Sequence, residues 1–102
     1  MQEVLLAIKN SVKSIDPKAT IILFGSFARG ENTKDSDIDI LILTDNNHIS
    51  IHDENAIKYP IYDLEFETGK IISPIVLSKS DWQLNHCITP FFANIKREGI
   101  EL

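Results

Sequence analysis

The chain predicts an α/β (α+β) fold, a small mixed β-sheet covered by helices. Two observations carry that expectation. Three short apolar runs rich in β-branched residues recur along the chain, and segments with helical spacing lie before, between and after them. At 102 residues the chain fits one domain, residues 1–102, and 43% apolar with 25% charged residues is an ordinary globular composition.

Val4, Leu5, Ile8, Val12 and Ile15 follow helical spacing, so residues 2–14 read as an amphipathic helix that Asp16-Pro17 ends. Thr20–Phe24 is a buried strand. Gly25-Ser26 breaks it, and residues 26–29 can form one helical turn before a polar loop over residues 30–36. Asp37–Leu43 is a second strand, apolar apart from its two acids, and residues 44–50 are a solvent loop. Residues 51–68 fit a helix better than a strand. Ile57, Ile61 and Leu64 then share a side, Pro60 begins or kinks the helix, and Gly69 caps it. Lys70–Leu77 is a third strand, with Pro74 implying an edge or a bulge. Ser80 is expected to cap a short helix containing Trp82, and Pro90–Glu98 to form a last helix ending at Gly99.

The net charge of −5 and pI of about 5.0 argue against direct nucleic-acid binding, which calls for a basic face. Cys87 is the sole cysteine, so no internal disulfide or cysteine-based zinc site can form, which suits a reducing cytoplasm. The N-terminus, with Glu3, Lys9 and Lys13 breaking its apolar pattern, does not read as a signal peptide, and no apolar run approaches the ~20 residues of a membrane helix. A domain this small buries a limited fraction of its surface. A partner chain, of the same kind or another, would cover part of the rest.

Chemistry concentrates between residues 25 and 39. Gly25 allows close backbone approach, and Ser26 offers a hydroxyl and an amide at a helix start, an arrangement that binds anions. Arg29, one turn on, can add charge to the same phosphate or pair with Asp35 or Asp37. The loop is not a Walker A, because Glu31-Asn32 replaces the Lys-Ser/Thr it needs. Asp37 and Asp39, two apart on a strand, share a face with Cα atoms roughly 6.5 Å apart, while Ile38, Ile40 and Ile42 point into a core. Two such carboxylates suit a hard divalent cation.

Gly25-Ser26-Phe27-Ala28-Arg29-Gly30 followed by Asp35-Ser36-Asp37-Ile38-Asp39 resembles the signature of the DNA polymerase β-like nucleotidyltransferase superfamily, in the form of its minimal nucleotidyltransferase, antitoxin-type subfamily. The likeness is strongest over residues 20–43 and extends to the ending Pro90-Phe91-Phe92 to Arg97-Glu98-Gly99-Ile100. It implies that Gly25, Ser26 and Arg29 bind the nucleotide and that Asp37 and Asp39 are catalytic and bind Mg²⁺. ATP would be the substrate and AMP the group moved to a protein hydroxyl. The acceptor implied is a helical HEPN-type toxin. The alternative is a weak or inactive module that neutralises its partner by contact. Transfer to a small molecule such as an aminoglycoside is disfavoured, because those enzymes usually carry a further helical domain. Many members have a third carboxylate on the following strand. Here its place falls near Ser73-Pro74-Ile75, where no acid stands, and Asp63, Glu65 or Glu67 could replace it only if residues 61–67 were a strand.

The remaining candidates read as structural. His48 and His52 lack the glutamate of a zinc helix motif, and His86 beside Cys87 has no evident acid partner. Trp82, Phe91 and Phe92 are expected in the core, with a partner interface as the other option.

Overall fold

In the computed structural model, which describes residues 2–102, nine elements follow in order. They are α1 (Gln2–Ile15), β1 (Thr20–Phe24), α2 (Ser26–Arg29), β2 (Ile38–Thr44), α3 (Ile51–Thr68), β3 (Ile72–Ser78), α4 (Lys79–Asn85), α5 (Pro90–Glu98) and β4 (Ile100–Glu101). The strands form one mixed sheet in the order β3-β2-β1-β4. β1 pairs antiparallel with both β2 and β4, and β2 pairs parallel with β3, α3 being the crossover between them.

The period of two divides the strand residues between two cores. On one face Ile21, Leu23, Ile38, Ile40, Ile42, Ile72 and Val76 pack against Ile8 and Val12 of α1 and Ile57 and Ile61 of α3. On the other, Leu41 and Leu43 pack with Trp82 of α4 and Phe92 and Ile95 of α5, with Ile22, Phe24, Leu77 and Phe91 at the margin. Trp82 stacks edge-on with Phe91 at 5.6 Å between ring centroids, and Phe91 meets Phe24 in the same way at 5.3 Å. The C-terminal aromatics are therefore core, as expected.

α3 is a helix throughout residues 51–68, with Pro60 inside it. A reciprocal capping box starts it: Asp53 N donates to Ser50 Oγ at 3.1 Å and Ser50 N to an Asp53 carboxylate oxygen at 3.2 Å. Several expected details are corrected. β2 begins at Ile38, so Asp37 stands just outside the strand. α4 is capped by Ser78, which accepts from Asp81 N, and Ser80 lies inside the helix. That follows from β3 running on to Ser78, two residues before the expected cap. Ile15 sits on the helical periodicity of α1, as its last residue, yet is 47% exposed. β4 was not expected. Its two residues, Ile100 and Glu101, pair with Leu23 and Ile22 and give β1 a second neighbour.

Candidate active site

The two acids emerge where β2 starts. Ile38 is fully buried against α1 and α3, so Asp39 must point to the opposite face, toward α5. Its neighbours across the sheet are Phe24 on β1 and Ser73 on β3. Asp37 is exposed one step before the strand, and Asp39 is half-buried.

Gly25 joins β1 to α2 at the same level. Its φ of +75° is a conformation that side chains resist, and a Cβ there would run into the Asp39 carboxylate. Glycine thus lets the backbone turn lie directly against Asp39. The first intrahelical bond of α2 is Arg29 N to Gly25 O at 3.1 Å, and no side chain caps the turn. The amides of Ser26, Phe27 and Ala28 are consequently without helical acceptors, the donor arrangement an anion needs.

Electrostatics single out Asp39. Burial first, and then the neighbouring Asp37 charge, push its carboxyl above the ordinary value, and Arg29 opposes them. The ion pairs among the described residues engage Glu31, Glu54, Glu98, Asp45 and Asp81, and neither Asp37 nor Asp39. A half-buried carboxylate with a like charge beside it and no ion-pair partner is the donor set a hard divalent ion satisfies. Among the described residues no three His, Cys, Asp or Glu side chains converge as a metal cluster.

Arg29 does not pair with Asp35 or Asp37. Its Nε and Nη1 each lie 3.2 Å from a carboxylate oxygen, of Glu31 and of Glu98 respectively. Glu98 is at the end of α5, so the pair ties α2 to the C-terminal helix. Half-exposed, Arg29 keeps room to turn toward an anion at α2.

The position flanking Asp39 on β3 is Ser73, so no carboxylate stands there. Nor do the acids of α3 replace it. That helix covers the opposite face, and Glu65 is committed to the Ile72 amide at 2.8 Å, which points outward from the edge strand. Asp63 and Glu67 are exposed on α3. His48 and His52 are also exposed, on the loop and first turn before and in α3. His86 does have an acid partner, which corrects the sequence reading: its Nε2 is 3.2 Å from Asp81 Oδ2, five residues earlier across the end of α4. That dyad braces α4, with the His86 ring stacked on Trp82.

A concavity of 810 Å³ lies at the far end of β2 and β3, lined by residues such as His48, Asp53, Ser78 and Asp81. Its volume does not make it the site. Asp53 is engaged in capping α3 and Asp81 holds His86 and Asn85, whereas Asp37 and Asp39, at the other end of β2, are in none of the ion pairs among the described residues.

Residues 5–85 match the model of the nucleotidyltransferase domain family. The chain belongs to that family. It is 30% identical over 103 residues to a "putative protein adenylyltransferase" of Methanocaldococcus jannaschii, covering 98% of this chain and 96% of that one. A second protein of the same name and organism is 52% identical over 44 residues, 38% of this chain and 44% of that one. A solved structure, a "putative nucleotidyltransferase" of Sulfolobus solfataricus, superposes with a TM-score of 0.59 at 26% identity, over 81% of this chain and 71% of that one. As a nucleotidyltransferase-family chain with a mixed four-stranded sheet, it has the fold class that its sequence predicts. No helix among the described residues is long and apolar enough to cross a membrane.

Proposed function

We propose that this nucleotidyltransferase moves AMP from ATP to a hydroxyl of a protein acceptor, and that the acceptor is a helical HEPN-type toxin which the transfer neutralises. One observation carries the transfer reading: the carboxyl of Asp39, raised above its ordinary value by burial and by the neighbouring Asp37 and without an ion-pair partner, lies against a glycine turn whose following amides are free. Gly25, Ser26 and the amides of α2 bind the triphosphate, and Arg29 adds charge to it. Asp37 and Asp39 would hold Mg²⁺, which would supply charge neutralisation for the phosphates and the leaving group. The chain's own work is to position: α2 fixes the phosphates at its N-terminus, Asp39 is held by β2 beside them, and Phe24 and Phe91 wall the site from the α5 side. The acceptor class rests on the adenylyltransferase relatives and on the antitoxin-type form of the motif.

A second reading has its own observation. With Ser73 where a third carboxylate would flank Asp39, the fold could neutralise its partner by contact alone. Incubating the chain with a HEPN-type toxin encoded alongside it, ATP and Mg²⁺, and weighing the partner by mass spectrometry separates the two. A gain of one AMP that vanishes in Asp37→Ala supports transfer. Neutralisation in a tight complex without any gain supports contact, and neither complex nor gain contradicts both.

A further inference from the structure

Transfer needs a group to take the proton from the attacking hydroxyl, and the sheet determines where that group can stand. Asp39 has α2 and its free amides on the β1 side, through Gly25, and Ser73 on the β3 side. In an in-line displacement the leaving pyrophosphate and the incoming hydroxyl lie on opposite sides of the α-phosphorus. If the phosphates rest on α2, the hydroxyl comes in over β3.

The surface it meets is distinctive. Ile71, Ser73 and Ile75 follow the period of two on the face that carries Asp39, and Ile71 and Ile75 are 55% and 37% exposed. The outer edge of β3 is closed to an added strand. Glu65 occupies the Ile72 amide and Pro74 has no N–H to offer. That leaves this face, with exposed Ile71 and Ile75 on either side of Ser73, as the surface open to an acceptor. A serine at neutral pH is not a general base, and the side chain of Glu65 is turned away from the site.

We propose that the acceptor brings its own base: a protein segment whose accepting hydroxyl lies next to a carboxylate or imidazole of that same segment, seated over Ile71, Ser73 and Ile75. This rests on the nucleotidyl-transfer reading above. In the step, the hydroxyl oxygen forms a bond to the α-phosphorus of ATP. The bond from that phosphorus to the α–β bridging oxygen breaks, and pyrophosphate leaves with its electron pair. The hydroxyl proton passes to the acceptor's own carboxylate or imidazole.

Two serine peptides test it, both with apolar flanks, one with a neighbouring Asp and one with Asn in its place. Pyrophosphate release is followed for the wild-type chain, Ser73→Asp and Ser73→Asn, with ATP binding measured by calorimetry for each. Wild type is expected to prefer the Asp peptide by about tenfold or more, toward the 10²–10⁴ range of general-base catalysis. That preference collapses in Ser73→Asp, persists in Ser73→Asn, and shrinks for wild type when imidazole is added as an external base. Should Ser73→Asp fail to fold, the imidazole series decides alone. Equal rates for the two peptides, unaffected by imidazole, in a chain that binds ATP would overturn this proposal and leave the transfer reading intact. A wild-type chain that does not bind ATP with Mg²⁺ would take down both.

Discussion

Replacing Asp39 by Asn should stabilise the protein without its ligands while abolishing transfer. Asp39 is half-buried beside Asp37, and its carboxyl is held above its ordinary value of 3.8 by burial and then by that neighbour. A raised carboxyl means that the folded chain binds the proton more tightly than the unfolded one. The contribution of Asp39 to stability is therefore full below pH 3.8 and is lost as pH rises through its folded value. Taking the ~6.5 Å Cα spacing of residues two apart in extended chain as the scale of their separation, the two charges repel by about 0.6 kcal/mol at a water-like dielectric of ~80, the appropriate limit for a pair in contact with solvent. In a domain of this size, relief of that repulsion raises the melting temperature by roughly 2–5 °C. Thermal unfolding followed by circular dichroism at pH 7 without divalent cations measures it. The gain should fade as the pH is lowered toward 3.8. Mg²⁺ with ATP should raise the midpoint of wild type and not of Asp39→Asn. A substitution that lowers the midpoint at pH 7 would show that Asp39 is a structural partner, not a strained ligand.

The site motif was legible because its chemistry is local. Gly25 to Asp39 is one β-turn-β passage, and the period of two places Asp39 on the face away from Ile38 and Ile40, with Asp37 just outside β2 yet near enough to add to burial in raising its carboxyl. Longer-range partners were not. Arg29 finds Glu98, 69 residues away, because α5 returns beside α2. No spacing encodes that. Asp81 and His86 meet only because α4 ends between them. The Ser78 cap had a signal, Ser-x-x-Asp into a helical segment, that the expected end of the third strand at Leu77 obscured. β4 has two residues, too few for any period. That Ser73 flanks Asp39 needed the strand register, which a sequence brackets only to within a residue or two.

Other outcomes follow from the packing. Gly25→Ala, forcing a Cβ against Asp39 at a φ of +75°, should cost about 1–2 kcal/mol in backbone strain alone, read from urea midpoints, and should weaken ATP binding. Trp82→Ala, at 3% exposure between β2 and the aromatics of α5, should cost about 3–5 kcal/mol in the same assay. Ser50→Ala removes one half of the α3 capping box and should cost about 1 kcal/mol, with midpoints unchanged counting against the box. Arg29→Ala should change stability by less than about 1 kcal/mol, since its ion pairs are solvated, yet raise the KM for ATP; an unaltered KM would remove Arg29 from the phosphate site.

The most direct measurement uses two samples of ATP, labelled at the α- or at the γ-phosphorus, each incubated with Mg²⁺, the acceptor and the wild-type chain or its Asp37→Ala and Asp39→Ala variants. Nucleotidyl transfer from this site predicts acceptor labelled from the α-position only, and no labelling with either variant. Label arriving from the γ-position, or α-label persisting when either aspartate is gone, would contradict the account.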